Sequence, residues 1–298
     1  MSAAEATAPE KVAIERWQRL QVLAGDIRRE AVEELLLYLG DAEPFVRWQA
    51  SQALLQTARR LQGRARLGLL ELQRAPAEFT YHALLEAMRR GMVDVDPLRR
   101  AATVDALALW DYAGAPALVL SALQDDDPTV RVSAAAALGK LRDEETVPAL
   151  VSALSDASLW VRRQAADALG AIASSGPVTG LSRAASDPQP LVRASVACAL
   201  GHIPSGRSRD ALARCAYDAD ATVRWCAARG LGEIGDVTSL PVLADLRGDK
   251  ALAYGRSVAD VARQASSAIR ARDRGLGSVW HRLRAAWRHR WERRRLRA

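Results

Sequence analysis

Four stretches of this chain align on one another without a gap, and their arginines, Arg131, Arg162, Arg193 and Arg224, stand 31 residues apart. Chance does not hold one register through three consecutive intervals. The chain is therefore assembled from a repeated unit, which restricts it to architectures that stack one supersecondary element on copies of itself. The stretches are D-P-T-V-R-V-S-A-A-A-A-L-G from Asp127, D-A-S-L-W-V-R-R-Q-A-A-D-A-L-G ending at Gly170, D-P-Q-P-L-V-R-A-S-V-A-C-A-L-G ending at Gly201, and D-A-T-V-R-W-C-A-A-R-G-L-G ending at Gly232. Asp96 to Leu107 keeps the same spacing upstream, Asp41 to Leu54 is another copy, and Val261 to Ile269 is a degenerate one without the arginine. The 53 residues from Arg47 to Arg100 leave about 22 inserted between two units. Seven units are recognisable.

Inside each unit the Val, the Ala four on, the Ala seven on and the Leu eight on fall on one face of a helix. A second apolar stripe precedes it, as in P-A-L-V-L-S-A-L from Pro116 and V-P-A-L-V-S-A-L from Val147, with Pro at a permitted early helical position. Each unit thus reads as an antiparallel helical hairpin. Asp before the second helix reads as turn and N-cap, and Gly139, Gly170, Gly201 and Gly232 as helix ends that need a residue tolerant of positive φ. A single hairpin exposes apolar side chains on both flanks, so it must stack to bury them. The apolar content, 49% with only 5% aromatic, suits close helix packing better than a sheet. The expected fold is all-α: an α-solenoid (superhelix) of about seven helical hairpins over 25–274, with an N-terminal capping helix in 1–24, from Pro9 to about Leu23, and a basic C-terminal helix in 275–298.

The Asp…Val-Arg…Ala…Ala-Leu-Gly signature resembles HEAT repeats, above all the HEAT-like repeats of the phycobilisome-lyase type, over roughly residues 25 to 270. The resemblance implies that turn Asp and helix Arg link successive layers through hydrogen bonds. On that basis Asp127, Arg131, Arg162, Asp187, Arg193 and Arg224 form a structural ladder. It implies nothing about function, because these residues build the stack.

Three chemistries known on similar architectures were weighed against the residues. Deoxyhypusine hydroxylase builds a di-iron site from His-Glu dipeptides; here the four histidines, His82, His202, His281 and His289, include none followed by Glu. Phycobilin lyase subunits share the repeat, which leaves an accessory subunit of a chromophore lyase as one alternative. HEAT-like DNA glycosylases use a concave face with Trp, an acid and basic residues, and Trp110-Asp111 fits in isolation. Residues 276–298, however, carry eight arginines and one acid, the whole excess of the chain's net +7, so the body is neutral and nucleic acid is disfavoured for it. A HEAT-like nucleic-acid binder is the second alternative. The three cysteines, Cys198, Cys215 and Cys226, form no C-x-x-C pair and read as helix packing. No catalytic, metal or cofactor residue is expected.

The expected function is a non-enzymatic scaffold that binds another protein along its concave face. Second-helix positions pointing away from the core give Trp48, Val132, Arg163, Asp167, Trp225 and Arg229 as partner contacts, with Trp and Arg the strongest candidates. Phe45 and Trp160, one place before the Val, are expected in inter-layer packing. In the tail, Trp280, Arg284, Trp287, Arg288, Trp291, Arg294 and Arg295 form a Trp stripe walled by arginine, fit for an anionic membrane surface, an acidic partner or another polyanion, or for capping the last repeat. No signal peptide or membrane span is read, so the expected location is cytoplasmic, peripheral to the inner face of a membrane if the tail binds lipid.

Overall fold

A computed structural model describes residues 8–26, 29–66, 88–109 and 114–274. Most of them are helical, in pairs that follow the repeat. Second helices are α1 (Ala8–Leu23), α3 (Pro44–Arg66), α4 (Pro97–Leu109), α6 (Pro128–Leu141), α8 (Leu159–Ile172), α10 (Pro190–Gly201), α12 (Ala221–Ile234) and α14 (258–274). The shorter first helices are α2 (Arg29–Tyr38), α5 (Ala115–Ser121), α7 (Val147–Ala153), α9 (Val178–Ala184), α11 (Gly206–Cys215) and α13 (Leu240–Asp245). Pro opens four of the second helices, where its missing N–H has no intrahelical acceptor to lose. The chain divides into two compact units, residues 1–168 and 169–298.

In both units the core is the repeat stripe. The Val before each arginine (Val46, Val130, Val161, Val192, Val223) and the Leu seven after it (Leu54, Leu138, Leu169, Leu200, Leu231) are buried. Val119, Leu150, Leu181, Leu212 and Leu243, themselves 31 residues apart, close the stripe from the first helices.

The layers are tied by a polar knot that repeats with them. The partner of Arg131 is Asp156, 25 residues on: Nε and Nη2 each donate to one carboxylate oxygen, at 2.8 and 2.9 Å. Its Nη1 turns back to the carbonyls of Asp125 and Asp126 in its own turn, at 2.7 and 3.0 Å. Arg100–Asp125, Arg193–Asp218 and Arg224–Asp249 repeat the ion pair at 2.7 Å, and the side chains are about one-sixth exposed. Each of these aspartates also accepts the backbone N–H two residues on. Arg162 donates to the Asp156 carbonyl at 2.8 Å, and Arg193 to that of Asp187 at 2.8 Å. The Arg100 guanidinium holds the Asp125 carboxyl below the usual carboxylate range, and Arg224 does the same for Asp249. At Asp156 and Asp218 burial pushes the carboxyl up, but the arginine and the turn N–H together outweigh it and the net shift is down.

Two sequence readings are corrected here. Asp127 is an N-cap, accepting the Thr129 N–H at 2.7 Å, and the ladder aspartate of that turn is Asp125, two residues earlier. The repeat glycines do not end helices in a left-handed conformation. Gly139, Gly170, Gly201 and Gly232 lie within α6, α8, α10 and α12, and the positive-φ residues after two of these helices are Arg142 and Ala173. What the glycines provide is closeness: a Cβ on Gly139 would sit 2.8 Å from the Ala168 Cα, one on Gly170 2.8 Å from that of Ala199, and one on Gly201 2.8 Å from that of Gly230. The all-α architecture holds, with one small non-helical feature. A two-stranded hairpin, β1 (Leu252–Ala253) and β2 (Arg256–Ser257), precedes α14, turning through Tyr254 and Gly255 at φ 49° and 74°.

α1 holds the same register as the other second helices. Arg16, 31 residues before Arg47, donates to both oxygens of Asp41, again 25 residues on, at 2.9 and 3.0 Å. The extended α3 covers the end of α1: Arg60 donates to the Gly25 carbonyl at 2.7 Å, and Thr57 is fully buried beneath it.

Candidate functional site

The ladder fixes the rotation of the second helices that carry its arginines, and with it the side chains left outside the core. In the unit of residues 1–168, Trp48 stands on α3 with 55% of its surface exposed and its ring 6.2 Å from that of Phe45. Beneath it α3, α4 and α6 line a groove of about 390 Å³ containing Gln52, Asp105, Ser133 and Lys140. Asp105 is sunk in this groove. Burial pushes its carboxyl up, against the opposing pull of the Lys140 charge and a hydrogen bond from Ser133. Val132, on α6, is half-buried. On α8, Arg163 and Asp167 face each other along one helix at 3.8 Å, both more than a third exposed, a contact worth a few tenths of a kcal/mol. The Arg163 Nε is buried and meets no hydrogen-bond acceptor.

In the unit of residues 169–298, Trp225 is set differently from Trp48. Its ring meets Tyr254 of the β-hairpin edge-on at 4.9 Å, and the Arg229 guanidinium lies 5.7 Å from its centre. Its indole Nε1 is buried without an acceptor. Beside it a groove of about 250 Å³ runs between α12 and α14, lined by Arg229, Glu233, Arg256, Gln264 and Arg272. Arg272 is anchored to the carbonyls of Gly232 and Gly235, both at 2.8 Å, leaving Arg229 and Arg256 exposed to solvent.

The structure thus gathers Trp48 with Gln52 and Asp105, and Trp225 with Arg229, while Val132, Arg163 and Asp167 stand apart from the Trp48 groove. Phe45 and Trp160 are each 54% exposed, so they project from their helices and do not pack between layers. Gln52 and Asp105 stand at the second-helix position whose polar residues the repeat register places on the border of this face; sequence reasoning missed Ser133 and Lys140 as groove residues and Tyr254 as the neighbour of Trp225. Ser133 and Lys140 keep the repeat register and could have been found from it; Tyr254 sits in an insertion that breaks it. The tail residues Trp280 to Arg295, and Trp110-Asp111, lie outside the described residues. Among the described residues, no three His, Cys, Asp or Glu side chains cluster as metal ligands would, and no helix is long and apolar enough to cross a membrane.

Comparison with known families matches HEAT repeats at residues 81–170, 115–185 and 178–263. Among solved structures, the chain is similar to YibA of Escherichia coli, with a TM-score of 0.55 and 19% identity over 90% of this chain and 88% of that one. It is also similar to a chain of the complex in which Kap95p binds RanGDP, with a TM-score of 0.50 and 14% identity, over 79% of this chain but only 36% of that one. The CpcE–CpcF phycocyanin lyase complex of Nostoc sp. PCC7120 follows at a TM-score of 0.43 and 17% identity, over 80% of this chain and 94% of that one. A comparison with curated proteins found no match.

Proposed function

The chain belongs to the family of HEAT repeats, and we propose that it acts as a non-enzymatic scaffold holding another protein on the exposed face of its second helices. The observation that carries this reading is Trp48. A tryptophan more than half exposed, beside an equally exposed Phe45 and above a groove of about 390 Å³, is a costly arrangement unless a partner covers it. Trp225 and Arg229 supply the second contact, where an indole and a guanidinium line a groove. Val132, Arg163 and Asp167 are read as peripheral contacts. The eight arginines of residues 276–298 add attraction to an acidic protein, an anionic membrane surface or another polyanion.

Affinity capture of the full chain with mass spectrometry identifies what binds, and the purified partner is then titrated against variants. Trp48→Ala should weaken binding by about thirtyfold, the consequence of losing roughly 2 kcal/mol at an interface anchor, with helical circular dichroism unchanged. Trp225→Ala should do likewise. Unchanged affinity in both would reject this face. Recovery of a tetrapyrrole-carrying protein would point instead to a chromophore-lyase subunit, and nucleic acid released by salt to a nucleic-acid binder.

A further inference from the structure

Cys198 on α10 and Cys226 on α12 place their sulfurs 2.7 Å apart. That is well inside the ordinary van der Waals separation of two sulfurs, though longer than the roughly 2.05 Å of a disulfide bond, so the two thiols are in direct contact. Backbone geometry enforces the proximity. One turn further on, a Cβ on Gly201 would lie 2.8 Å from the Gly230 Cα, so these two helices run in near-backbone contact. The register enforces it as well. Cys198 lies five residues after Arg193 and Cys226 two after Arg224, the positions held by Asp105 and Ser133 in the other unit, where the two side chains hydrogen-bond. The repeat brings these two positions together, and here both carry thiols.

We propose that Cys198 and Cys226 are a redox modification site, closing to an intramolecular disulfide that staples two successive second helices when a hydroperoxide is present. Cys198 is the partly exposed member and Cys226 is fully buried, which sets the order of events. The Cys198 sulfur attacks the peroxide, the O–O bond breaks, and the departing oxygen leaves as water or alcohol with the thiol proton. Cys198 is then a sulfenic acid. The Cys226 sulfur attacks it, the S–S bond forms, the S–O bond breaks, and hydroxide leaves as water with the Cys226 proton. Two thiols lose two electrons in all, and one peroxide gains them. A thiol reductant reverses the change. Cys215 is an internal control: burial pushes its thiol up to about 11, so at neutral pH almost none of the reactive thiolate exists. The inference stands apart from the partner-binding reading, since it needs only the two helices to be packed.

Trypsin separates the three cysteines into the peptides 194–207, 215–224 and 225–229. The full chain, treated with hydrogen peroxide or with dithiothreitol, is unfolded, alkylated and digested. Peroxide should join peptide 194–207 to 225–229 with loss of two hydrogens, dithiothreitol should separate them, and the Cys215 peptide should be alkylated in both samples. Alkyl label on both Cys198 and Cys226 after peroxide would overturn the proposal. So would a linked fraction that rises with protein concentration, which marks a bridge between molecules. As a second measurement, the oxidised wild type should melt several degrees above the reduced form. Cys198→Ser should show no such difference; an equal shift in that variant would place the effect elsewhere and refute the staple.

Discussion

Replacing Arg131 by Met keeps the aliphatic stem along the helix and removes the guanidinium alone. The structure shows what that removes: two N–H donors to the Asp156 carboxylate and one shared by the carbonyls of Asp125 and Asp126. Charged hydrogen bonds contribute about 1.5–3 kcal/mol each, and stripping one partner from a buried ion pair costs about 3–5 kcal/mol. The side chains here are 15% and 14% exposed, and water can reach part of the abandoned carboxylate, so about 3 kcal/mol is the expected loss. Asp156→Asn should cost about 2 kcal/mol, because the amide oxygen still accepts the Ser158 N–H. Since both substitutions break one contact, the double variant should lose at least 1 kcal/mol less than their sum. Arg131→Met combined with Asp41→Asn makes the control, because Asp41 bonds Arg16 and the two losses should add within about 0.5 kcal/mol. Urea denaturation followed by helical circular dichroism reads wild type and the five variants, the single Asp41→Asn among them. Equal coupling in the matched and mismatched pairs would refute the ladder as the tie between layers.

Gly201→Ala should destabilise by about 1–3 kcal/mol despite the better helix propensity of alanine, since the new Cβ meets backbone at 2.8 Å. Gly248→Ala, with nothing within 4 Å, should lie within about 0.5 kcal/mol of wild type in the same thermal melts. The ladder also sets an acid limit. Asp125, Asp156, Asp218 and Asp249 titrate below their unfolded values, so their stabilisation is complete above the ordinary aspartate pKa of about 3.9 and is lost as pH falls through the lower folded values. Stability measured in urea should therefore be level through the mildly acidic range and fall below about pH 4, less steeply in Asp156→Asn; a decline centred on neutral pH would contradict the assignment.

The stack was legible because one number, 31, orders the apolar stripes, and the helix pairs appear where those stripes place them. What misled the reading was the purpose of individual residues. Gly201 carries the same letter whether it ends a helix or admits a neighbour, and only the facing Gly230 Cα tells the two apart. Asp127 and Asp125 are both aspartates in one turn, and the choice between cap and ladder depends on which points at the preceding arginine. α1 was read as a capping helix and its place in the repeat overlooked: Arg16-Trp17-Gln18 copies Arg47-Trp48-Gln49 at the repeat distance and Leu23 keeps the usual leucine, but Glu15 replaces the usual valine, Leu20 a usual alanine and Glu10 the usual aspartate.

In a stack of identical layers, a contact between neighbours has a sequence separation equal to the period less a fixed offset. The arginine–aspartate tie falls at 25, the Cys198–Cys226 approach at 28 and the Gly201–Gly230 approach at 29, offsets of six, three and two from 31. Every inter-layer partner could in principle be read from the chain once one offset of each kind is known. The face that would recognise a partner obeys no such rule, because selectivity requires layers to differ. Trp48 stands in the layer whose second helix is extended by the insertion, and Trp225 beside the hairpin that interrupts the last repeat. The departures from the period are therefore where function is expected to concentrate, and they are the places where a repeat gives the least guidance about structure.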